Sequence, residues 1–112
     1  MIGISTHILD TASGCPAQGV RVILERMSAD GTFVAAGDGI TDSSGRVPQL
    51  LAPGQTLAAE VFRLTFYVSD YFEAQDHFYP EVTVSFLVRD PNTHYHVPLL
   101  LSPYGYTTYR GS

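Results

Sequence analysis

The chain has 112 residues with eleven carboxylates against six arginines, which leaves a formal net charge of −5 at neutral pH. Such a length fits one domain over residues 1–112 with a small core, so subunit association would add to its stability. The arginines are dispersed and no lysine accompanies them, which argues against binding to nucleic acid or to an anionic membrane.

The start of the chain and its cysteine content bear on where the protein works. Residues 1–7 lack the basic start and long apolar core of a signal peptide, and no segment is long and apolar enough to span a bilayer. Cys15 is the only cysteine, so an internal disulfide is impossible, and its place between Gly14 and Pro16 predicts an unreactive loop thiol. We therefore expect a cytoplasmic protein.

Apolar and polar residues alternate along most of the chain, as expected for half-buried antiparallel strands. Near the start, Ile4, Thr6 and Ile8 share one face and His7 projects from the other. The same period recurs at 20–25, 62–66 and 82–89, and a weaker candidate strand covers 32–41. Turn residues separate these runs, so the pattern predicts a β-sandwich or barrel.

A short helix fits at residues 70–75, between two of the predicted strands. The carboxylate of Asp70 can accept a hydrogen bond from the amide three residues on, and Glu73 can reach back toward the helix start. We therefore expect one or two helical turns with a capped N-terminus.

The segment 94–112 is apolar and aromatic almost to its end, unlike an ordinary frayed terminus, and is expected to be packed beside a site. We predict that one face of its strand packs in the core. This face carries Tyr95, Val97, Leu99 and Leu101. The opposite face is expected to meet a partner or a cleft and carries His94, His96, Pro98 and Leu100. Because proline cannot donate to a ladder, the strand is expected to lie at an edge or to be locally unpaired at Pro98.

Local patterns leave the chemistry open. The chain has no G-x-S-x-G elbow, no phosphate-binding loop and no His-x-x-x-His helix. His94 and His96 share a strand face with metal-ligand spacing, and His7 could be a third ligand, although no acidic or cysteine residue is paired with them. The same imidazoles could instead be ordinary hydrogen-bonding groups, and Arg46 could be a surface residue of a turn.

Motifs at 4–11, 41–46, 78–82 and 94–112 carry the strongest signal in the chain. The first contains Ser5-Thr6-His7, the second ends at Arg46, and the last ends in Tyr-Arg-Gly-Ser. In register and over the whole chain, these motifs resemble those of the 5-hydroxyisourate hydrolases, the transthyretin-related enzymes of urate breakdown. The terminal tetrapeptide is the most specific of them.

That resemblance implies an all-β fold, a transthyretin-like β-sandwich of two four-stranded sheets with one short helix. It also implies a homotetramer, a dimer of dimers with active sites at the dimer–dimer interface. The implied reaction opens the six-membered ring of 5-hydroxyisourate by water attack on a ring carbonyl. Its product is 2-oxo-4-hydroxy-4-carboxy-5-ureidoimidazoline, and it uses no metal or other cofactor.

Carried over position by position, the motifs also imply residue roles. The implied catalytic residues are His7, Arg46, His96 and Ser112. The implied substrate-binding residues are His7, Arg46, Tyr109, Arg110 and Gly111. Either His7 or His96 could be the base, and Arg110 could instead anchor the terminus through an ion pair. His94 is placed outside the site and His77 in a solvated loop.

These residue types suit hydrolysis of a cyclic amide. A neutral imidazole can take a proton from water, and a nearby arginine charge lowers the pKa of a histidine and so keeps it neutral. Arg46 offers a planar fork of donors for ring carbonyls or an anion. Ser112 is expected to orient the water through its hydroxyl or carboxylate, and Tyr109 to close the pocket.

Two other functions fit the same fold class. A transthyretin-like carrier would bind a small aromatic hormone in the central channel, but it would need an apolar channel rather than histidines and a Tyr-Arg-Gly-Ser end. An adhesion or accessory module would also have short strands, but it would normally carry an export signal. Hydrolysis of hydroxyisourate would distinguish the enzyme from both.

Overall fold

The computed structural model describes residues 2–112, and within them two β-sheets pack face to face beside one short helix. In chain order the elements are β1 (Ile4–Asp10), β2 (Cys15–Pro16), β3 (Arg21–Met27), β4 (Phe33–Ile40), β5 (Arg46–Val47), β6 (Val61–Tyr67), α1 (Ser69–Phe72), β7 (Val82–Leu87), β8 (Tyr95–Ser102) and β9 (Gly105–Thr108). The predicted fold class is confirmed. No helix within residues 2–112 has the length and hydropathy needed to cross a membrane.

The first sheet has five strands, one more than predicted. It is only four strands wide, because two short strands share one edge of β1. Its order is β2-β1-β8-β9, with β5 also paired to β1. β2 pairs with Leu9 and Asp10, whereas β5 pairs with Thr6 and His7, so these two short strands follow one another along the same edge of β1. The second sheet, β4-β3-β6-β7, is antiparallel throughout and has the predicted four strands.

The apolar faces predicted from alternation meet between the sheets and form the core. The second sheet contributes Val22, Leu24, Phe62, Leu64, Phe66 and Val82, and the first contributes Ile4, Ile8, Tyr95, Val97, Leu99 and Leu101. Burial of a side chain of this size stabilises the fold by about 1.5–3 kcal/mol. The opposite face of β1 and β8, with its histidines, is therefore turned away from the core.

The helix is shorter than predicted and is not capped as predicted. It begins at Ser69 and ends at Phe72, Val68 occupies the N-cap position without a side-chain cap, and Glu73 ends the helix at a φ of 51°. The capping roles expected of Asp70 and Glu73 are therefore wrong. The buried ring of Phe72 holds this single turn against the core, so packing rather than capping stabilises it.

Strand β8 lies inside the sheet, between β1 and β9, so the prediction of an edge position is wrong. The alternative prediction, a local gap in pairing, holds for Pro98 on the side of β9 only, because Pro98 is paired with His7 on the side of β1. The ladder between β8 and β9 ends at the pair Leu99 and Thr108, and pairing resumes at the bridge between His96 and Gly111. Pro98 lies between these points, and its carbonyl accepts a hydrogen bond from Thr108 Oγ1 at 2.7 Å.

Candidate active site

Strand register brings three of the four motifs, those at 4–11, 41–46 and 94–112, together on the outer face of the first sheet. Across the β1–β5 ladder His7 is the partner of Arg46, and across the parallel β1–β8 ladder Ser5 is the partner of His96. The isolated bridge between His96 and Gly111 then adds the end of the chain. Residues far apart in the sequence therefore converge because neighbouring strands carry them.

A cavity of about 300 Å³ opens on this face. Its walls combine Arg46, His96 and Ser112 with four residues to which the motifs gave no role, namely Ser5, Thr6, Pro48 and His94. Half-buried His7 is not part of these walls in one protomer. It lies directly beside them, as the partner of Arg46 and Pro98 in neighbouring strands.

Ser5 lies between two imidazoles and hydrogen-bonds to both. Its Oγ is 2.7 Å from Nε2 of His94 and 2.8 Å from Nδ1 of His96. His94 therefore belongs to the wall of the cavity, although the motifs gave it no role in the site. The shared strand face of His94 and His96 was the available signal, but nothing local indicated that a serine of β1 would join the two rings.

The surroundings of His96 favour its neutral form. Burial lowers its pKa below the ordinary value, and the positive charge of Arg46 lowers the pKa further, with smaller effects from His7 and His94. Burial also lowers the pKa of His94. At neutral pH both rings are therefore uncharged and able to accept or donate hydrogen bonds as neutral imidazoles.

Gly111 packs directly on the ring of His96. Its amide donates a hydrogen bond to the carbonyl oxygen of His96 at 2.8 Å. A β-carbon at this position would lie 2.5 Å from Cδ2 of His96 and 3.1 Å from Cγ of Pro98. Any side chain here would have to displace the imidazole or the end of the chain, so glycine is the residue that allows this close approach.

Tyr109 and Arg110 lie at a different cavity, of about 340 Å³, between β7 and the C-terminal segment. The guanidinium of Arg110 stacks over the ring of Tyr95 at 4.4 Å from its centroid. Neither Tyr109 nor Arg110 is among the residues that line the cavity at His96 and Arg46. Within one protomer these two residues are therefore not brought together with His96 and Arg46.

His77 lies in the loop that follows α1, as predicted, but it is held in place there. Its Nε2 is 3.1 Å from Ser69 Oγ, its Nδ1 is 2.8 Å from the carbonyl oxygen of Gln75, and its ring stacks on Phe72. Its position at the helix, away from the cavity, is consistent with a structural role.

The imidazoles do not come together as a set of metal ligands in the part of the chain that the structure describes. Within the described residues 2–112, no three His, Cys, Asp or Glu side chains are grouped so that they could hold one ion. The contacts of His94 and His96 with Ser5 instead fit a hydrogen-bonded network.

Fold and site together define a transthyretin-like β-sandwich whose outer sheet face carries imidazoles and a guanidinium. The chain matches the model of the HIUase/Transthyretin family over residues 4–111, and it belongs to that family. The resemblance drawn from the sequence motifs is therefore confirmed.

Individual relatives point in the same direction. A curated relative from Salmonella dublin, named 5-hydroxyisourate hydrolase, is 46% identical over 111 residues, which cover 97% of this chain and 80% of the relative. The structure of Klebsiella pneumoniae 5-hydroxyisourate hydrolase superposes with a TM-score of 0.80 at 32% identity and covers 100% of this chain and 94% of that one. Transthyretin from Sparus aurata superposes with a TM-score of 0.90 at 30% identity, over 99% and 97% of the respective chains.

Proposed function

We propose that this chain hydrolyses 5-hydroxyisourate to 2-oxo-4-hydroxy-4-carboxy-5-ureidoimidazoline, a step of urate degradation. The observation that carries the proposal is the convergence of Arg46, His96 and Ser112 on one cavity with His7 beside it. The relative from Salmonella dublin that carries the name of this hydrolase supports it.

The proposed mechanism needs a base, an oxyanion partner and a hold on a flat polar ring. Arg46 binds the substrate through its planar fork of donors and stabilises negative charge as water attacks the ring carbonyl. A donor aimed at the developing oxyanion contributes roughly 3 kcal/mol at comparable sites. A neutral imidazole, of His7 or His96, takes the proton from water, and Ser112 orients that water.

Tyr109, Arg110 and Gly111 have separate parts in this proposal. Gly111 lets the chain end approach the imidazole of His96, as its contact distances require. Arg110, for which the motifs implied substrate binding with an anchoring ion pair as the alternative, anchors the terminus in this proposal through its cation–π contact with Tyr95. Tyr109, which is exposed, closes the pocket only if it meets substrate across a subunit boundary.

We further propose a homotetramer, a dimer of dimers with active sites where the dimers meet. Strands β7 and β9 are edge strands of their two sheets, and residues of both line one cavity, so these edges lie close together, which suits edge-to-edge pairing. Large aromatic side chains are exposed at the turn between β8 and β9: Tyr104 lies in the turn and the amide of Phe78 donates to the carbonyl of Pro103, and each ring-bearing residue is 67% exposed. Mass measured under native conditions tests this assembly, and a monomer at working concentration would contradict it.

The cavity chemistry favours a hydrolase over a transthyretin-like carrier. An apolar hormone would gain little from a wall of imidazoles, a guanidinium and hydroxyls, whereas a polar ring can be bound and activated there. The free, exposed thiol of Cys15 suits a reducing compartment, and we propose the cytoplasm.

A coupled assay tests the function directly. Urate and urate oxidase generate 5-hydroxyisourate in place, and the decay of its absorbance is followed with and without the protein. The proposal expects faster decay with the wild-type chain and near-background decay with His7→Ala or His96→Ala. Near-normal turnover in both variants would remove the proposed mechanism, and no acceleration by the wild type would remove the function.

A further inference from the structure

The hydroxyl of Ser5 couples the protonation of two imidazoles. A hydroxyl has a single proton, so it can donate to only one ring and must accept from the other. Since Oγ contacts Nε2 of His94 and Nδ1 of His96, only two arrangements are available when both rings are neutral. Either His94 donates to Ser5 and Ser5 donates to His96, or the whole chain of hydrogen bonds runs the other way.

The remaining nitrogen of His94 distinguishes the two directions. Its Nδ1 is buried and has no hydrogen-bond partner within residues 2–112. If the chain ran from His96 to His94, that Nδ1 would have to carry a proton, which would leave a buried N–H without an acceptor. Orphaned buried N–H groups are rare in proteins. With the chain running from His94 to His96, Nδ1 of His94 carries only a lone pair.

The direction of the chain assigns the tautomer of His96. Ser5 then donates to Nδ1 of His96, and the proton of the neutral ring lies on Nε2. Nδ1 is engaged with Ser5, and the Cδ2 edge of the ring is covered by Gly111. Nε2 is therefore the nitrogen that His96 can offer to a ligand in the cavity, and it offers a hydrogen-bond donor.

We infer that Ser5 and His94 are positioning residues that hold His96 as the Nε2–H tautomer, so that His96 acts as a neutral donor to the oxyanion and His7 is the base. This inference rests on the proposed function. It answers a question that the motifs left open, because a ring whose Nε2 already carries a proton cannot take one from water at that atom.

With these roles, every proton that moves in the reaction has a donor and an acceptor. Water gives a proton to His7 as its oxygen bonds to the carbonyl carbon, and the carbonyl π pair moves to the oxygen, which accepts a hydrogen bond from Nε2 of His96. On collapse, the bond between that carbon and the ring nitrogen breaks, and the nitrogen takes the proton held by His7. His96 keeps its proton throughout, as a neutral imidazole donor can.

The tautomer can be read without any activity measurement. Protein labelled with ¹⁵N histidine is studied by long-range ¹H–¹⁵N correlation at neutral pH, with ring signals assigned through single substitutions of the four histidines. We expect His96 protonated at Nε2 in the wild type and a mixture of tautomers in Ser5→Ala. A wild-type His96 protonated at Nδ1 overturns the inference, and so does a Ser5→Ala spectrum identical to that of the wild type.

Kinetics of a matched pair at His94 provide the second readout. Gln can donate an amide N–H to Ser5, whereas Phe has a similar shape and no donor, so His94→Gln is expected to retain activity that His94→Phe loses. Hydrogen-bond partners that orient metal-bound imidazoles are worth about 10- to 100-fold, and we expect a loss of that size in kcat for His94→Phe and Ser5→Ala, with KM little changed. Circular dichroism establishes that each variant is folded.

The proposed function and the positioning role of Ser5 and His94 can be disproved independently of each other. A wild-type chain that does not hydrolyse 5-hydroxyisourate overturns the proposed function, while the tautomer spectrum still decides the hydrogen-bond direction. An active wild type whose kcat survives both Ser5→Ala and His94→Phe overturns the positioning role alone. Equal losses in His94→Gln and His94→Phe also contradict it, because the donor would then not matter.

Discussion

Gly111 donates its amide proton to the carbonyl of His96 at 2.8 Å and lies against the edge of the same residue's imidazole. One residue of the terminal tetrapeptide is thus joined by backbone and by packing to one candidate catalytic residue. The specific end of the chain and the histidine of β8 form a single unit. Disturbing either should disturb the other.

Gly111→Ala is expected to lower kcat by about 100-fold while the protein stays folded, because an error of about 1 Å in placing a catalytic group has effects of that size. The new β-carbon would lie 2.5 Å from Cδ2 of His96 and push the ring or the terminus aside. Gly105→Ala is the matched control, since its β-carbon would meet only Ser102 Oγ at 3.7 Å. Equal kinetics of the two variants would contradict a role for the close contact.

Replacing each imidazole should separate the site histidines from a structural one. His7→Asn is expected to reduce kcat by about 100- to 10,000-fold, as loss of a general base does. His77→Asn serves as the control, because His77 bonds to Ser69 and Gln75 beside the helix and should leave turnover unchanged. A fully active His7→Asn enzyme would exclude His7 as the base.

Arg46→Gln is expected to move the acid limb of kcat/KM to higher pH. Burial and the charge of Arg46 hold the pKa of His96 low, so removal of that charge raises the pKa. Since the neutral ring is the active form, activity is then lost at a higher pH on acidification. Arg21→Gln, on an exposed position of the second sheet, should leave the limb in place. A limb unchanged in Arg46→Gln would show that another group controls it.

Acid should weaken the fold through the same rings. Burial lowers the pKa values of His94 and His96 below the ordinary value of 6.5. At a pH lower than 6.5 the unfolded chain therefore binds more protons than the folded chain. The free energy of unfolding is therefore expected to fall as pH drops from 6.5 toward the lowered values, and to show no such contribution above 6.5. Urea denaturation over this range measures it. The slope should decrease in His94→Gln, and an unchanged slope would count against His94.

Core packing should dominate stability, as a matched pair of isoleucines can test. Ile8 of β1 is 0% exposed and Ile40 of β4 is 66% exposed. Ile8→Ala is expected to lower the free energy of unfolding by about 2–5 kcal/mol. Because Ile40 is exposed in the chain, Ile40→Ala should change the free energy of unfolding by no more than about 0.5 kcal/mol. Similar losses in both would contradict the dominance of the core between the sheets.

Strand faces were predictable from the sequence because their cause is local. Side chains of a strand alternate with a period of two, so Tyr95, Val97 and Leu99 had to share a face, and their apolar character directed that face inward. Helix capping was not predictable in the same way. Asp70 has the right residue type for a cap, yet the N-cap position falls two residues earlier, at Val68, and the packing of Phe72 decides the geometry.

The site shows the same division. The motif resemblance predicted that His7, Arg46, His96 and Ser112 work together, and the structure brings Arg46, His96 and Ser112 to one cavity with His7 beside it. Their catalytic roles remain predictions. The contribution of Ser5 and His94 could not be read from spacing, because it depends on which atoms of two different strands come within hydrogen-bond distance.

By itself the sequence determined the class of fold, the inward faces of the strands and the family. These follow from short-range periodicity and from motifs whose residues are neighbours in the chain. Tertiary structure alone decided that β1 lies parallel to β8 with Ser5 opposite His96, and that Arg110 turns to Tyr95 rather than to the cavity. Register and side-chain direction arise from the packing of the whole chain, and no local stretch contains that information.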